Sequence, residues 1–135
     1  MSEIRYAVEP DLAAVDFRDV LIRSTLGERR PVDDLDRLDK MLRQADIVVT
    51  ARRDGRLVGV ARSLTDFSFC CYLSDLCVDA AVQRQGIGRA LIDRTQAEAG
   101  AQCLLVLLAA PAAVGYYPHI GMRSHASAWT RERQG

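Results

Sequence analysis

A strand-to-helix turn carrying two glycines constrains this chain more than any other feature. Gln83-Arg84-Gln85-Gly86-Ile87-Gly88 follows a β-rich run, Cys70 to Val78, and opens a helical run that ends at Gly100. In such a turn several backbone N–H groups point one way without a partner, and the helix dipole adds partial positive charge at the same place. The arrangement is a seat for a phosphate or pyrophosphate. A side chain at either glycine would hold the ligand away from the main chain. Residues 84 to 89 are therefore expected to bind a phosphate-bearing cofactor. Two familiar phosphate motifs do not fit. A P-loop needs Gly-Lys followed by Ser or Thr, and Gly88 is followed by Arg89. A dinucleotide turn puts a third glycine where this chain has Leu91, and follows a first parallel strand.

The surroundings of the turn predict its architecture. Ile4 to Val8 reads as a strand, Pro10-Asp11 as the start of a helix bearing Ala13, Phe17, Val20 and Leu21 on one side, and Gly27 to Pro31 as a break. A second helix carries Leu35, Leu38, Leu42 and Ala45. Ile47 to Arg53 is strand-like, and Asp54-Gly55 is a strong hairpin signal. The returning strand, Arg56 to about Leu64, alternates only loosely, and Phe69 to Val78 completes a three-strand meander. After the glycine helix, Cys103 to Leu108 is almost continuously apolar, as in a strand covered on both faces. A parallel strand–helix–strand unit from Leu73 to Leu108 with a right-handed crossover follows. A short helix at about Ala112 to Tyr116 and a last strand at Ala126 to Arg131 complete the expectation. The fold class is α/β (α+β): a mixed, mostly antiparallel central sheet with helices on both faces, in one domain spanning residues 1–135.

Composition narrows the function. Lys plus Arg and Asp plus Glu are 18 each, and this zero net charge argues against a nucleic-acid binder. The longest apolar run, Cys103 to Val114, is too short to span a bilayer, and residues 1 to 10 carry no signal-peptide core. Cys70, Cys71, Cys77 and Cys103 lie in strand-like segments without CxxC spacing, and read as reduced, buried apolar residues of a cytoplasmic protein. No metal site is expected, since His119 and His125 have no suitable spacing.

The turn resembles the acyl-CoA signature of the GNAT N-acetyltransferase superfamily: Gln or Arg, two residues, Gly, any residue, then Gly or Ala. Gln83, Gly86 and Gly88 meet it. Leu76-Cys77-Val78 resembles the family's preceding strand end, and Arg89-Ala90-Leu91-Ile92 its helix start. A second family block, often Phe-Tyr-x-x-x-Gly-Phe, is approximated by Tyr116-Tyr117-Pro118-His119-Ile120-Gly121-Met122. The order of elements fits as well, so the resemblance covers essentially the whole chain.

The resemblance implies acetyl-CoA as co-substrate and direct transfer of its acetyl group to a small-molecule or peptide amine. Backbone amides from Arg84 to Arg89 (Arg84, Gln85, Gly86, Ile87, Gly88, Arg89) would hold the pyrophosphate, with Gln83 opening the motif, and Leu76, Cys77 and Val78 would run beside the pantetheine arm. Arg84 and Arg89 either add contacts to phosphate or form a solvated helix face. A backbone N–H near Val78 would stabilise developing negative charge. Tyr117 matches the family's general-acid tyrosine, against the alternative of a rim tyrosine closing the core; Tyr116 reads as packing. Asp75 is the best carboxylate for a general base, against the alternative of pairing with a nearby arginine. Tyr72 and Asp66 are weaker candidates for contacting substrate, and His119 reads as a surface residue. Two positions depart from the family pattern. Pro118 should end the preceding helix at Tyr117, and Ala110 stands where many members have an Asn that contacts the cofactor. Arg29 and Arg30, in the segment that shapes the family's acceptor site, either attract an acidic acceptor or form an ordinary charged loop. The alternative function is a non-catalytic acyl-CoA-binding sensor or subunit, and a homodimer is one way to cover an unpaired sheet edge.

Overall fold

The computed structural model describes residues 3–135. The elements run β1 (Ile4–Val8), α1 (Ala14–Arg23), α2 (Leu35–Gln44), β2 (Ile47–Arg53), β3 (Arg56–Thr65), β4 (Cys70–Val78), α3 (Ile87–Ala99) and β5 (Leu104–Val106). Short 3-10 turns lie at Leu26–Arg29, Ala80–Val82, Pro111–Ala113 and Tyr117–Ile120. The strands form one five-stranded sheet in the order β1-β2-β3-β4-β5, antiparallel throughout except for the parallel pair β4 and β5. The sheet is thus mixed and mostly antiparallel, as the sequence predicts.

Local chemistry accounts for these elements. Asp54 and Gly55 both adopt left-handed backbone angles (φ 51° and 79°), the geometry of a two-residue hairpin that matches strand twist. The Asp34 carboxylate accepts a hydrogen bond from the Arg37 N–H at 3.0 Å and caps α2. α1 starts at Ala14, later than Pro10-Asp11, because Leu12 turns inward to 2% exposure and its carbonyl accepts from the Arg43 guanidinium.

Two cores sandwich the sheet. One face packs on α1 and α2 through Phe17, Val20, Leu21, Leu38, Leu42, Val60 and Cys77. The other packs on α3 through Val49, Ala51, Ala61, Cys71, Leu73, Ile87 and Leu91. Phe17 is fully buried, so its truncation to alanine is expected to cost about 3–5 kcal/mol.

The loose alternation of β3 has a physical source. The β2–β3 register shifts between Ala51 and Arg52, and the β3–β4 register shifts between Arg62 and Ser63. Arg62 faces Asp75 while Ser63 faces Leu73, so Ser74 is an extra residue in β4. Side chains change face there. Cys71 and Leu73 point to the α3 core, whereas Cys77 points to the α1/α2 core and Leu76 and Val78 pack on the α3 side.

The last third departs from the sequence expectation. β5 spans only Leu104–Val106, and Leu104 is 62% exposed because no helix covers that face. No strand forms at 126–131, and Trp129 is 89% exposed. The expected helix near Ala112 to Tyr116 is replaced by two 3-10 turns, and Tyr117 begins the second of these, with Pro118 in its first turn. Among the cysteines, Cys71, Cys77 and Cys103 are buried as expected, but Cys70 is exposed.

Candidate active site

The site begins where β4 parts from β5. The two strands pair only at Cys70↔Leu104, Cys71↔Leu105 and Tyr72↔Val106, and β4 then runs on to Val78 without a neighbour on that side. Hydrogen bonding fixes which groups face the gap. Leu104 N–H donates to the Phe69 carbonyl at 2.9 Å, so odd-numbered residues face β5 at the start of β4. Asp79 N–H donates to the Val58 carbonyl at 2.8 Å, which turns Asp79 and Cys77 toward β3 and the peptide groups of Leu76 and Val78 toward the gap. The Ser74 bulge makes this switch. The Val78 carbonyl accepts from the Gln83 side-chain amide at 3.2 Å, leaving the Leu76 and Val78 N–H groups and the Leu76 carbonyl as a strand edge unpaired among the described residues.

That edge leads into the mouth of α3. The β4–α3 connection is held by Asp79, whose carboxylate accepts from the Ala81 N–H at 2.9 Å and the Arg23 guanidinium at 2.7 Å, with Arg56 3.7 Å away. Burial alone would raise its pKa, but these partners outweigh burial and hold it below the usual carboxylate value. Arg84 and Gly86 then take left-handed backbone angles (φ 65° and 80°), and Gly86 is the N-cap of α3 without a side-chain capping bond. The first helical bond is Ala90 N–H to the Gly86 carbonyl at 3.1 Å. No backbone carbonyl among the described residues accepts from the N–H groups of residues 83 to 89. Arg53 donates to the Gln85 side-chain oxygen at 2.8 Å and braces the turn from the β2–β3 hairpin.

The Tyr116 side chain approaches this mouth. A Cβ at Gly88 would lie 3.0 Å from the Tyr116 hydroxyl. Burial raises the Tyr116 pKa, opposed by the Arg89 backbone N–H donating to its hydroxyl. Tyr116 thus occupies one donor of the mouth and is more than packing. Its ring meets Tyr117 edge-on, with centroids 5.2 Å apart and an interplanar angle of 73°. Tyr117 is half-buried against the α3 core, and that burial pushes its pKa above 10.0. Its phenol therefore stays protonated through neutral pH, the form a general acid requires.

Asp75 sits elsewhere. It is fully buried, and its two carboxylate oxygens accept from the Arg30 and Arg62 guanidiniums. Arg30 also donates to the Ser74 carbonyl at 2.9 Å, and Arg62 to the Ser74 hydroxyl at 3.1 Å. With both oxygens engaged, this carboxylate is built for ion pairing, and Arg30 is tied inward instead of standing in a charged loop. The Asp66 carboxylate accepts from the Ser68, Phe69 and Cys70 N–H groups and closes the turn before β4, at the opposite end from the cleft. Tyr72 lies level with Val106, where β4 and β5 still pair. Burial pushes the Cys77 thiol up to about 12, which leaves it inert. Among the described residues no group of His, Cys, Asp or Glu is arranged to hold a metal ion, and no helix is long and apolar enough to cross a membrane.

The sequence reading missed Ser74, Arg62, Asp79 and the role of Tyr116. A signal existed for Arg62, a single charge ending the apolar run Leu57-Val58-Gly59-Val60-Ala61, which implies a buried partner.

A parallel strand pair that opens into an uncapped helix mouth defines a protein that takes an extended, phosphate-bearing cofactor between two strands. The family model of the acetyltransferase (GNAT) domain matches residues 27–134, and the chain belongs to that family of acyltransferases, which use acyl-CoA. Solved structures agree in fold. A Staphylococcus aureus protein of unknown function has a TM-score of 0.80 at 17% identity, covering 98% of this chain and 100% of its own. A GNAT family acetyltransferase of Streptococcus pneumoniae gives 0.73 at 19%, covering 97% and 100%. An aminoglycoside N-acetyltransferase in complex with CoA gives 0.74 at 16%, covering 100% and 97%. No curated protein sequence matches the chain.

Proposed function

We propose that this chain is an N-acetyltransferase that moves an acetyl group from acetyl-CoA directly to an amine of a small-molecule or peptide acceptor. The observation that carries the reading is the free edge of Leu76 and Val78 running into the unpaired N–H groups at the α3 mouth. Bound acetyl-CoA supplies a thioester carbon open to attack by a neutral amine. The protein does the rest. The N–H groups of residues 84 to 88 hold phosphate oxygens, and the strand edge at Leu76 and Val78 orders the extended arm as an added strand would be ordered. The Val78 N–H donates to the carbonyl oxygen as negative charge develops there. The Tyr117 hydroxyl donates its proton to the departing sulfur. No carboxylate is assigned as base, because both Asp75 oxygens are held by arginines, and the proton that the attacking nitrogen sheds passes to water.

Thiol release from acetyl-CoA, followed over a panel of primary amines, tests this reading. Tyr117→Phe should lower transfer by about 10²–10⁴-fold while CoA affinity holds. An unchanged rate removes Tyr117 from the reaction. A second reading, a non-catalytic acyl-CoA-binding sensor or subunit, draws support from the engaged Asp75 carboxylate and from Ala110. It requires CoA binding with no thiol release from any amine of the panel.

A further inference from the structure

Three side chains hold the one irregularity that opens the cleft. Ser74 is the extra residue of β4, and were the strand to run through it in regular alternation, with no bulge, the peptide groups of Leu76 and Val78 would turn toward β3. Its carbonyl accepts from Arg30 and its hydroxyl from Arg62. The next residue, Asp75, is 0% exposed and carries both guanidiniums on its two oxygens. Arg62 is itself 7% exposed and donates also to the Met41 carbonyl of α2 at 3.3 Å. Arg30 comes from the connection between α1 and α2, where its remaining nitrogen donates to the Arg29 carbonyl at 2.9 Å.

A β-bulge in a sheet half-open on one side has little else to fix its position, since among the described residues only β3 pairs with β4 past Tyr72. Each guanidinium fork grips the bulge at two points, one N–H on an Asp75 oxygen and another on Ser74, and such charge-assisted hydrogen bonds are strong and directional. We propose that Arg30, acting through Asp75 and Ser74, is a positioning residue for the pantetheine arm: it holds the bulge that aims the Leu76 and Val78 amides into the cleft. It also ties the α1–α2 connection to β4. This inference rests on the acyl-CoA reading above.

Calorimetric titration with two probes separates the two. CoA uses both the strand edge and the helix mouth, while its nucleotide half alone (3′-phospho-ADP) uses only the mouth. The wild-type protein should bind both. Arg30→Gln should weaken CoA by about tenfold or more and leave 3′-phospho-ADP at its wild-type affinity, with Arg30→Lys, which keeps the charge but not the fork, in between. Asp75→Asn should repeat the split. Retained nucleotide binding shows that each variant is folded, and should Arg30→Gln not fold, Arg30→Lys carries the same test. The inference is overturned if Arg30→Gln binds CoA as tightly as wild type, or if both probes weaken together, as general loosening would cause. Wild-type protein that binds neither probe overturns the cofactor reading and this inference with it.

Discussion

The two halves of β4 have nearly the same composition and opposite roles. Cys70–Leu73 begins a strand enclosed by β3 and β5, and its backbone is consumed in holding the sheet. Leu76–Val78 pairs with β3 alone, and its outward N–H groups stay free. Neither half is more apolar or more β-prone than the other. One extra residue between them, Ser74, separates structure from site. Local irregularity, held by charge pairs, creates function here on an otherwise regular meander.

Breaking the clamp between the halves should have the largest effect. Asp75→Ala leaves two guanidiniums without their carboxylate and is expected to cost about 3–5 kcal/mol of stability, measured by urea denaturation. Proline then reads each half directly. Cys77→Pro removes an N–H that faces β3 and should cost about 3 kcal/mol or more, whereas Val78→Pro removes one that faces the cleft and should keep the fold but weaken CoA. Equal destabilisation by the two prolines would contradict the assigned facing. Gly88→Val places a side chain against the Tyr116 hydroxyl and over the donors; CoA affinity should fall by about a hundredfold, about 2.7 kcal/mol, with melting temperature little changed.

Smaller effects lie away from the cleft. Glu9 is held below its ordinary pKa, chiefly by hydrogen bonding from Arg52, which donates twice to its carboxylate at 2.9 Å, and further by Thr50. Its stabilisation is therefore present above the unfolded carboxylate pKa and is lost as pH falls through the lower folded value. Glu9→Gln should lower the melting temperature at pH 7, with the difference closing in strong acid. Last, alkylation of native protein should modify Cys70 first, since Cys71, Cys77 and Cys103 are buried.

Much of this was legible in the residues. Asp54-Gly55 determined the hairpin, and Ile47–Arg53 formed the strand over the expected span, because a two-residue turn fixes which residues pair beside it. Gly86 and Gly88 marked the helix mouth. Asp75 left two readings open, a base or an arginine partner, and the structure shows the pairing for a definable reason. With a period of two it would share a face with Cys71 and Leu73, but the bulge turns it to the α1/α2 side, where Arg30 and Arg62 lie. A bulge is one residue of slippage in a pairing partner, and the strand's own sequence carries no mark of it. The C-terminal third failed differently. Cys103 to Leu108 is apolar enough for a buried strand, yet what covers a strand is decided by distant segments, and here nothing covers Leu104 or Leu108.

Backbone amide NMR during a CoA titration tests the central claim most directly. The account predicts that the amides of Leu76, Val78 and Gln85 through Arg89 shift with bound CoA, while those of Cys71, Leu73 and Cys77 hold their positions. Shifts confined to the paired half of β4, or none at Leu76 and Val78 with CoA bound, would contradict it.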